Sequence, residues 1–183
     1  MLISTERSVM STQQHFYDVD RLFRVMRRIE NDPTSFNMGN WAVDGPRCGT
    51  TACLAGHTVM AAGLADQMVW QVINTHNDKN SEWMRDGHSI ADVALQLLVP
   101  VPDGFVDGDP RMRSQFCLDR EAMYRIFMCT GAETPGALWY AIERHTNFVI
   151  THEQYTQWLD AERATEVTEV IKTELPAREL VHA

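Results

Sequence analysis

Apolar residues recur along this chain at intervals of three and four, which is the spacing of one face of an α-helix. The first such stripe begins after Asp18, an acceptable N-terminal cap, and ends before Pro33. Similar capping signals recur downstream, whereas the alternation of apolar and polar residues expected of a half-buried strand hardly occurs. The pattern therefore predicts an all-α fold, an irregular orthogonal bundle of six or seven helices.

Start and stop signals set the limits of the predicted helices. Thr134 followed by Pro135 is a cap with proline at the first helical position, and Thr151 with Gln154 forms a capping box. Residues 77–87 and 99–113 are predicted as loops. The predicted helices are 19–30, Thr50 or Thr51 to Ala62, 64–75, Ser89–Leu98, Asp119 to near Gly131, Thr134 through His145, and Thr151–Leu175. Gly63 is the stop signal of the second helix, and Ile150 with Tyr155 forms a hydrophobic staple at the start of the last one.

The chain has 183 residues, of which 44% are hydrophobic, and this is enough for one domain with its own core. We predict a single helical domain over 18–175, interrupted by the long loop 99–113. A flexible N-terminus over 1–17 and a flexible C-terminal tail over 176–183 flank it.

The formal charge of −9 disfavours phosphate backbones and anionic lipid as partners. The first 14 residues lack a secretory apolar run, and no stretch approaches the ~18 apolar residues that span a bilayer. Cysteines at 48, 53, 117 and 129 do not have the spacing of a disulfide framework. We therefore predict a cytoplasmic protein with reduced thiols and neither a nucleic-acid nor a membrane partner.

The segment Cys48–His57, with the sequence CGTTACLAGH, is where metal or thiol chemistry is most plausible. Cys53 and His57 are four residues apart and share a face of the predicted helix, and Cys48 comes just before it. Two thiolates and an imidazole would supply three zinc ligands. A fourth would come from one of three more distant residues, Cys117, Cys129 or His145.

A second interpretation of the same segment is cysteine catalysis. Cys48 lies close to a predicted helix start, where partial positive charge favours a thiolate, and His57 or a later histidine would act as its base. Asp66, Asp92 and Asn147 are the candidates for orienting that histidine. The motifs of the familiar enzyme classes are missing, however, so we assign no catalytic residue and favour a protein that is not an enzyme.

A third interpretation is packing alone. Ala52, Ala55, Gly56 and Val59 lie at offsets of three and four and form a small-residue face that another helix can approach closely. Cysteine is among the most frequently buried residues. On this interpretation both cysteines and His57 belong to the core, and the protein has no metal cofactor.

The block Cys-Gly-Thr-x-Ala-Cys-x-Ala-Gly within Cys48–Gly56 resembles the signature of an uncharacterised family of proteins from actinobacteria and their phages. The resemblance extends from about Asp18 to Arg144 and implies a leading helix such as Val19–Glu30. Residues 99–113 read as an insertion relative to that family. The resemblance implies no activity and carries over no catalytic residue.

We therefore predict a small acidic protein-binding module, such as a phage-encoded regulator or inhibitor of a bacterial host protein, acting in the host cytoplasm. The acidic balance predicts a partner with a basic surface. The alternatives are a Cys/His zinc-binding domain and a cysteine-dependent hydrolase or transferase. The sequence assigns no binding residues and no oligomeric state.

Overall fold

The computed structural model describes residues 14–45, 49–72, 79–102, 105, 109–129 and 131–179. This part of the chain contains six α-helices and a four-stranded antiparallel sheet. The fold is therefore mixed α and β, and the prediction of an all-α bundle is wrong.

The elements, in chain order, are α1 (Val19–Asn31), β1 (Ala42–Gly45), β2 (Gly49–Ala52), α2 (Leu54–Ala61), β3 (Met68–Val72), β4 (Lys79–Met84), α3 (Ile90–Leu98), α4 (Pro110–Phe127), α5 (Pro135–His145) and α6 (His152–Glu179). Short 3₁₀ turns at Pro33–Ser35 and Ala65–Gln67 precede β1 and β3.

The sheet has the strand order β2-β1-β4-β3, and every neighbouring pair is antiparallel. Val43 in β1 lies opposite both Thr51 in β2 and Asn80 in β4. β3 pairs with β4 through Val69 opposite Trp83, and the register shifts between Val69 and Gln71. β1 and β4 are thus the inner strands.

Three predicted segments are wrong because they form this sheet. Thr50 and Thr51, the two predicted caps of a helix, lie in β2, so α2 starts only after Cys53. Residues 68–72 of the predicted helix 64–75 form β3, whose β-branched and aromatic residues favour a strand. Most of the predicted loop 77–87 forms β4, in which only Ser81 and Met84 are buried, so its sequence shows no alternation.

Four predicted helix starts are confirmed by hydrogen bonds to the capping side chain. These are Asp18 to Arg21 N (3.0 Å), Ser89 to Asp92 N (3.1 Å), Thr134 to Ala137 N (3.2 Å) and Thr151 to Gln154 N (3.2 Å). Gln154 Oε1 also accepts from Thr151 N at 2.8 Å, which completes the predicted capping box. Gly63 has φ +76°, as expected of a residue that ends a helix.

The predicted start of α4 at Asp119 is wrong, because the helix begins nine residues earlier, at Pro110. Asp109 accepts a hydrogen bond from Arg111 N at 2.9 Å and is the actual N-cap. The irregular connection before α4 is correspondingly shorter than predicted. α6 runs to Glu179, beyond the predicted end at Leu175.

The core on the α1, α5 and α6 side is aromatic. Phe23 packs edge-on against Trp139, Tyr155 and Trp158. The Glu30 carboxylate accepts hydrogen bonds from Trp139 Nε1 and Tyr155 Oη, both at 2.8 Å. These bonds satisfy the polar atoms of two largely buried rings and fix α5 and α6 against α1.

Residues 14–17 pack on α4, although they belong to the segment predicted as flexible. Phe16 is buried and contacts Phe116 edge-on, with ring centroids 5.8 Å apart. Its backbone N–H donates to Asp119 Oδ2 at 2.8 Å. This contact brings a polar N-terminal segment to the middle of α4.

Candidate functional site

Cys53 is a core residue at the junction of β2 and α2. Its side chain is 1% exposed, and its thiol lies 3.7 Å from the carbonyl oxygen of Trp41. Burial raises the pKa of the Cys53 thiol, which disfavours the thiolate that a nucleophile or a zinc ligand needs. Cys48, the other candidate thiol, lies outside the described residues.

His57 is also buried, four residues along α2. Its Nε2 lies 2.9 Å from the carbonyl oxygen of Ser35, so Nε2 carries the hydrogen and donates. Its Nδ1 is buried and has no hydrogen-bond partner among the described residues. Burial lowers the pKa of His57, since a charged ring would lose its hydration there.

The other residues assigned to the metal and catalytic hypotheses lie elsewhere. Cys117 is exposed on α4, and His145 lines a separate cavity together with Asn147. Asp92 accepts a hydrogen bond from Ser89 Oγ at 2.7 Å, so its carboxylate is engaged at the start of α3. Within the part of the chain that the structure describes, no three His, Cys, Asp or Glu side chains are grouped to hold a metal ion. A zinc site that includes Cys48 stays a prediction.

The predicted small-residue face is buried, but its closest neighbour is not a helix. A Cβ added to Gly56 would lie 1.8 Å from the carbonyl oxygen of Trp41 and 2.7 Å from Ala52 Cβ. The absence of a side chain at Gly56 thus lets the backbone before β1 pass directly over α2.

The structure brings together a polar cluster that the sequence analysis did not identify. Asp119 is only 2% exposed in the middle of α4. Its Oδ1 accepts from His15 Nδ1 at 3.0 Å and from Gln115 Nε2 at 2.6 Å, while Oδ2 accepts from Phe16 N at 2.8 Å. Burial and then the Asp119 carboxylate raise the pKa of Tyr17. The buried Asp119 carboxylate thus accepts hydrogen bonds from three donors, His15, Gln115 and the Phe16 backbone.

The Asp119 carboxylate fixes the tautomer of His15. Two polar atoms lie near His15 Nδ1: Asp119 Oδ1 at 3.0 Å and Gln115 Nε2 at 3.1 Å. Because Gln115 Nε2 donates to Asp119 Oδ1 at 2.6 Å, and a lone pair on Nδ1 would face the same carboxylate oxygen, we assign the hydrogen to Nδ1, and Nε2 is then the acceptor of the neutral ring. The His15 ring stacks on Tyr17 with centroids 5.8 Å apart, and its side chain is 26% exposed. The imidazole is therefore held in one orientation with Nε2 directed away from its carboxylate partner.

His15 and Asp119 line a cavity of about 310 Å³, which we call the His15 cavity. It lies between residues 14–17, α4 and the connection from α5 to α6. Its other polar walls include Glu121, Arg125, His145 and Asn147, and Arg125 Nη2 donates to Glu121 Oε1 at 2.6 Å.

The connection from α5 to α6 has a strained backbone where it meets this cavity. Asn147 and Phe148 have φ values of +53° and +60°, a conformation that non-glycine residues rarely adopt. Phe148 N donates to Glu143 O at 2.7 Å, which holds the turn. Strain of this kind clusters at functional sites and costs on the order of 1–3 kcal/mol per residue.

A second cavity of about 610 Å³ adjoins the first along α4, and the two share Gln115 and Leu118. Phe16, Met112 and Leu118 supply apolar surface to it, and Arg111 stands at its edge. Leu118 is 53% exposed, which is unusual for a leucine beside a cavity. We call the two cavities together the α4 groove.

The α4 segment carries basic charge in an acidic chain. It holds four arginines, at 111, 113, 120 and 125, against the carboxylates of Asp119 and Glu121. Asp119 is buried and saturated with hydrogen bonds, so the solvent-facing charge of this helix is positive. The groove thus combines apolar surface with cationic groups.

Little in the sequence pointed to this site. His15 and Asp119 are 104 positions apart, and their contact depends on tertiary packing. A usable signal was the aromatic run His15-Phe16-Tyr17, which is atypical of a flexible terminus.

Comparison with known protein families, curated proteins and solved structures finds no match to this chain. Among the helices that the structure describes, none combines the length and the apolar character needed to cross a membrane.

Proposed function

We propose that the protein is a binding module and that its α4 groove takes an acidic, amphipathic segment of a partner protein. The observation that carries this proposal is the groove itself, two adjoining cavities of about 310 and 610 Å³ with apolar walls at Phe16, Met112 and Leu118 and arginines beside them. Fifteen residues of helix separate Pro110 from Arg125, so the groove is about 23 Å long. That length suits an extended or helical peptide segment.

The charge of the groove favours an acidic partner, whereas the composition of the whole chain favours a basic one. The net charge of −9 suggests a basic partner, but recognition depends on the groups within a screening length of about 8 Å at physiological salt. At the groove these groups include Arg111 and Arg125. Carboxylates of the partner would pair with the arginines, and its apolar side chains would cover Leu118 and Met112.

The resemblance of Cys48–Gly56 to proteins of actinobacteria and their phages makes a bacterial host protein the first partner to test. Occupation of an acidic segment on that protein would regulate or inhibit it in the cytoplasm. The zinc and cysteine-hydrolase alternatives have less support, because Cys53 is buried and its pKa is raised.

A displayed library of random peptides, selected on the purified protein, tests the proposal. We expect the selected peptides to be enriched in Asp or Glu interspersed with large apolar residues. Arg111→Glu and Leu118→Asp should each weaken binding of the best peptide about tenfold or more, because each removes an anchor of the groove.

Arg85→Glu is the matched control, since Arg85 is exposed in the turn after β4 and lines neither cavity. Circular dichroism of each variant establishes that it is folded. Selection of basic peptides, or equal losses for Arg85→Glu and Arg111→Glu, would refute binding at the groove.

A further inference from the structure

We propose that the His15 cavity is a carboxylate-binding subsite in which His15 takes up a proton when the ligand binds. The inference rests on the proposed function in one respect, that the acidic partner segment supplies the carboxylate. It adds the position at which that carboxylate binds and a dependence of affinity on pH.

The arrangement of His15 supports this step. Asp119 holds Nδ1–H, so protonation occurs at Nε2 and turns an acceptor into a charged donor. Asp119 accepts the Nδ1–H on one side of the ring, and a ligand carboxylate would accept the Nε2–H on the other. The proton comes from solvent, and no covalent bond of the ligand changes.

The charged and titratable groups around His15 favour an anion. From residues 14–17 it faces Tyr17, whose raised pKa keeps the phenol neutral in the physiological range. From α4 it faces Asp119, already saturated, and the Glu121–Arg125 pair. From α5 comes His145, a second imidazole.

Arg125 uses Nη2 for Glu121, which leaves further guanidinium N–H groups for a ligand. His15, Arg125 and the Asn147 amide line the same cavity and can each supply an N–H group that a carboxylate accepts from. The Asp119 and Glu121 carboxylates also line the cavity, but they already accept hydrogen bonds from Gln115 and Arg125, with which a cationic ligand would have to compete. The cavity therefore matches an oxyanion, and the acidic segment proposed for the groove makes it a carboxylate.

Imidazole nitrogen NMR of the labelled full chain tests the inference directly. Sodium acetate and sodium phosphate are titrated at about pH 6 and about pH 8, with sodium chloride at equal ionic strength as the reference. We expect acetate to move the His15 Nε2 signal toward the imidazolium position and to bind about tenfold more tightly at the lower pH.

His15→Gln should bind acetate with no dependence on pH between these values. Arg125→Gln should bind about tenfold more weakly and keep the pH dependence, because it loses a charge-assisted hydrogen bond but not the titrating ring. His88→Gln, at an exposed position outside the cavity, is the control. The wild-type spectra decide the question even if a variant fails to fold.

A His15 signal that acetate leaves unchanged, while selected acidic peptides still bind, would overturn this subsite and leave the proposed function standing. A response to phosphate alone would overturn the carboxylate assignment. Acetate binding with proton uptake, combined with a library that yields no acidic peptides, would support the subsite and refute the proposed function.

Discussion

Gly56 has no space for a side chain, and its tight contact is with backbone. The carbonyl oxygen of Trp41 stands 1.8 Å from the position of an added Cβ, far inside van der Waals contact. A backbone carbonyl cannot rotate away as a side chain can, so the start of β1 and α2 would have to separate. Small-residue positions of this kind are set by one close approach rather than by helix propensity.

We expect Gly56→Ala to lower the free energy of unfolding by about 3 kcal/mol. This is the upper end of the range typical of overpacking, because the added methyl group would meet backbone. Denaturant unfolding measures the change. Gly136→Ala is the matched control, because an added Cβ at this position in α5 meets nothing within 4 Å. Its midpoint should stay the same or rise slightly. Equal midpoints for the two variants would contradict the close approach at Trp41.

His57 makes stability depend on pH. Burial lowers its pKa in the folded state below the ordinary value of 6.5, so just below that pH the unfolded chain binds a proton that the folded chain does not. The stability that His57 contributes is therefore complete above about pH 6.5 and is lost as the pH falls toward its lowered folded-state pKa.

The free energy of unfolding should thus fall as the pH is lowered below about 6.5, and the fall should be smaller in His57→Gln. Guanidinium titrations at several pH values measure both curves. His88→Gln, at an exposed histidine, should retain the wild-type slope. If His57→Gln keeps that slope as well, another group is responsible for the pH dependence.

At the scale of elements, what could be predicted from sequence was local. The caps at Asp18, Ser89, Thr134 and Thr151 each depend on a residue three positions away, and all four are confirmed. Strand pairing is not local, since Val43 pairs with Asn80 across 37 positions. Because few β4 side chains are buried, its sequence lacks the alternation that would have indicated a strand.

The capping box of α6 provides a test at this scale. Thr151→Ala removes the side-chain acceptor of Gln154 N and should cost about 1 kcal/mol of stability. Thr156→Ala, one turn further along the same helix, removes only a bond to the His152 carbonyl and should change stability by less than about 0.5 kcal/mol. Thermal unfolding compares the two variants. A larger loss for Thr156→Ala would show that the cap is dispensable.

At the scale of the whole molecule, the candidate site was beyond sequence analysis because three separate regions form it. Residues 14–17, the middle of α4 and the connection after α5 meet only in the folded chain. The sequence pattern predicts chemistry at Cys53 and His57, and their four-residue spacing does put both in one region. Spacing along a helix does not show whether a side chain is buried, and both of these are.

The sheet and the helices share one core, and from this we expect a single cooperative unfolding transition. Buried residues of the sheet region, such as Ala42 and Met68, belong to the same cluster as Ile150 and Tyr155 at the start of α6. Neither part buries a separate core, so loss of one exposes the other to water.

The five tryptophans allow the unfolding of the sheet and of the helices to be followed separately. Trp41, Trp70 and Trp83 lie in or beside the sheet, and Trp139 and Trp158 lie on α5 and α6. One variant replaces the first three with Phe, and a second variant replaces the other two. Both variants will differ from wild type in stability, so the comparison is made within each protein, between its fluorescence midpoint and its far-ultraviolet circular dichroism midpoint in guanidinium. We expect the two midpoints to coincide in both variants. If the sheet tryptophans report a transition at lower denaturant than circular dichroism does, while the helix tryptophans do not, the sheet unfolds separately and the predicted single domain over 18–175 is wrong.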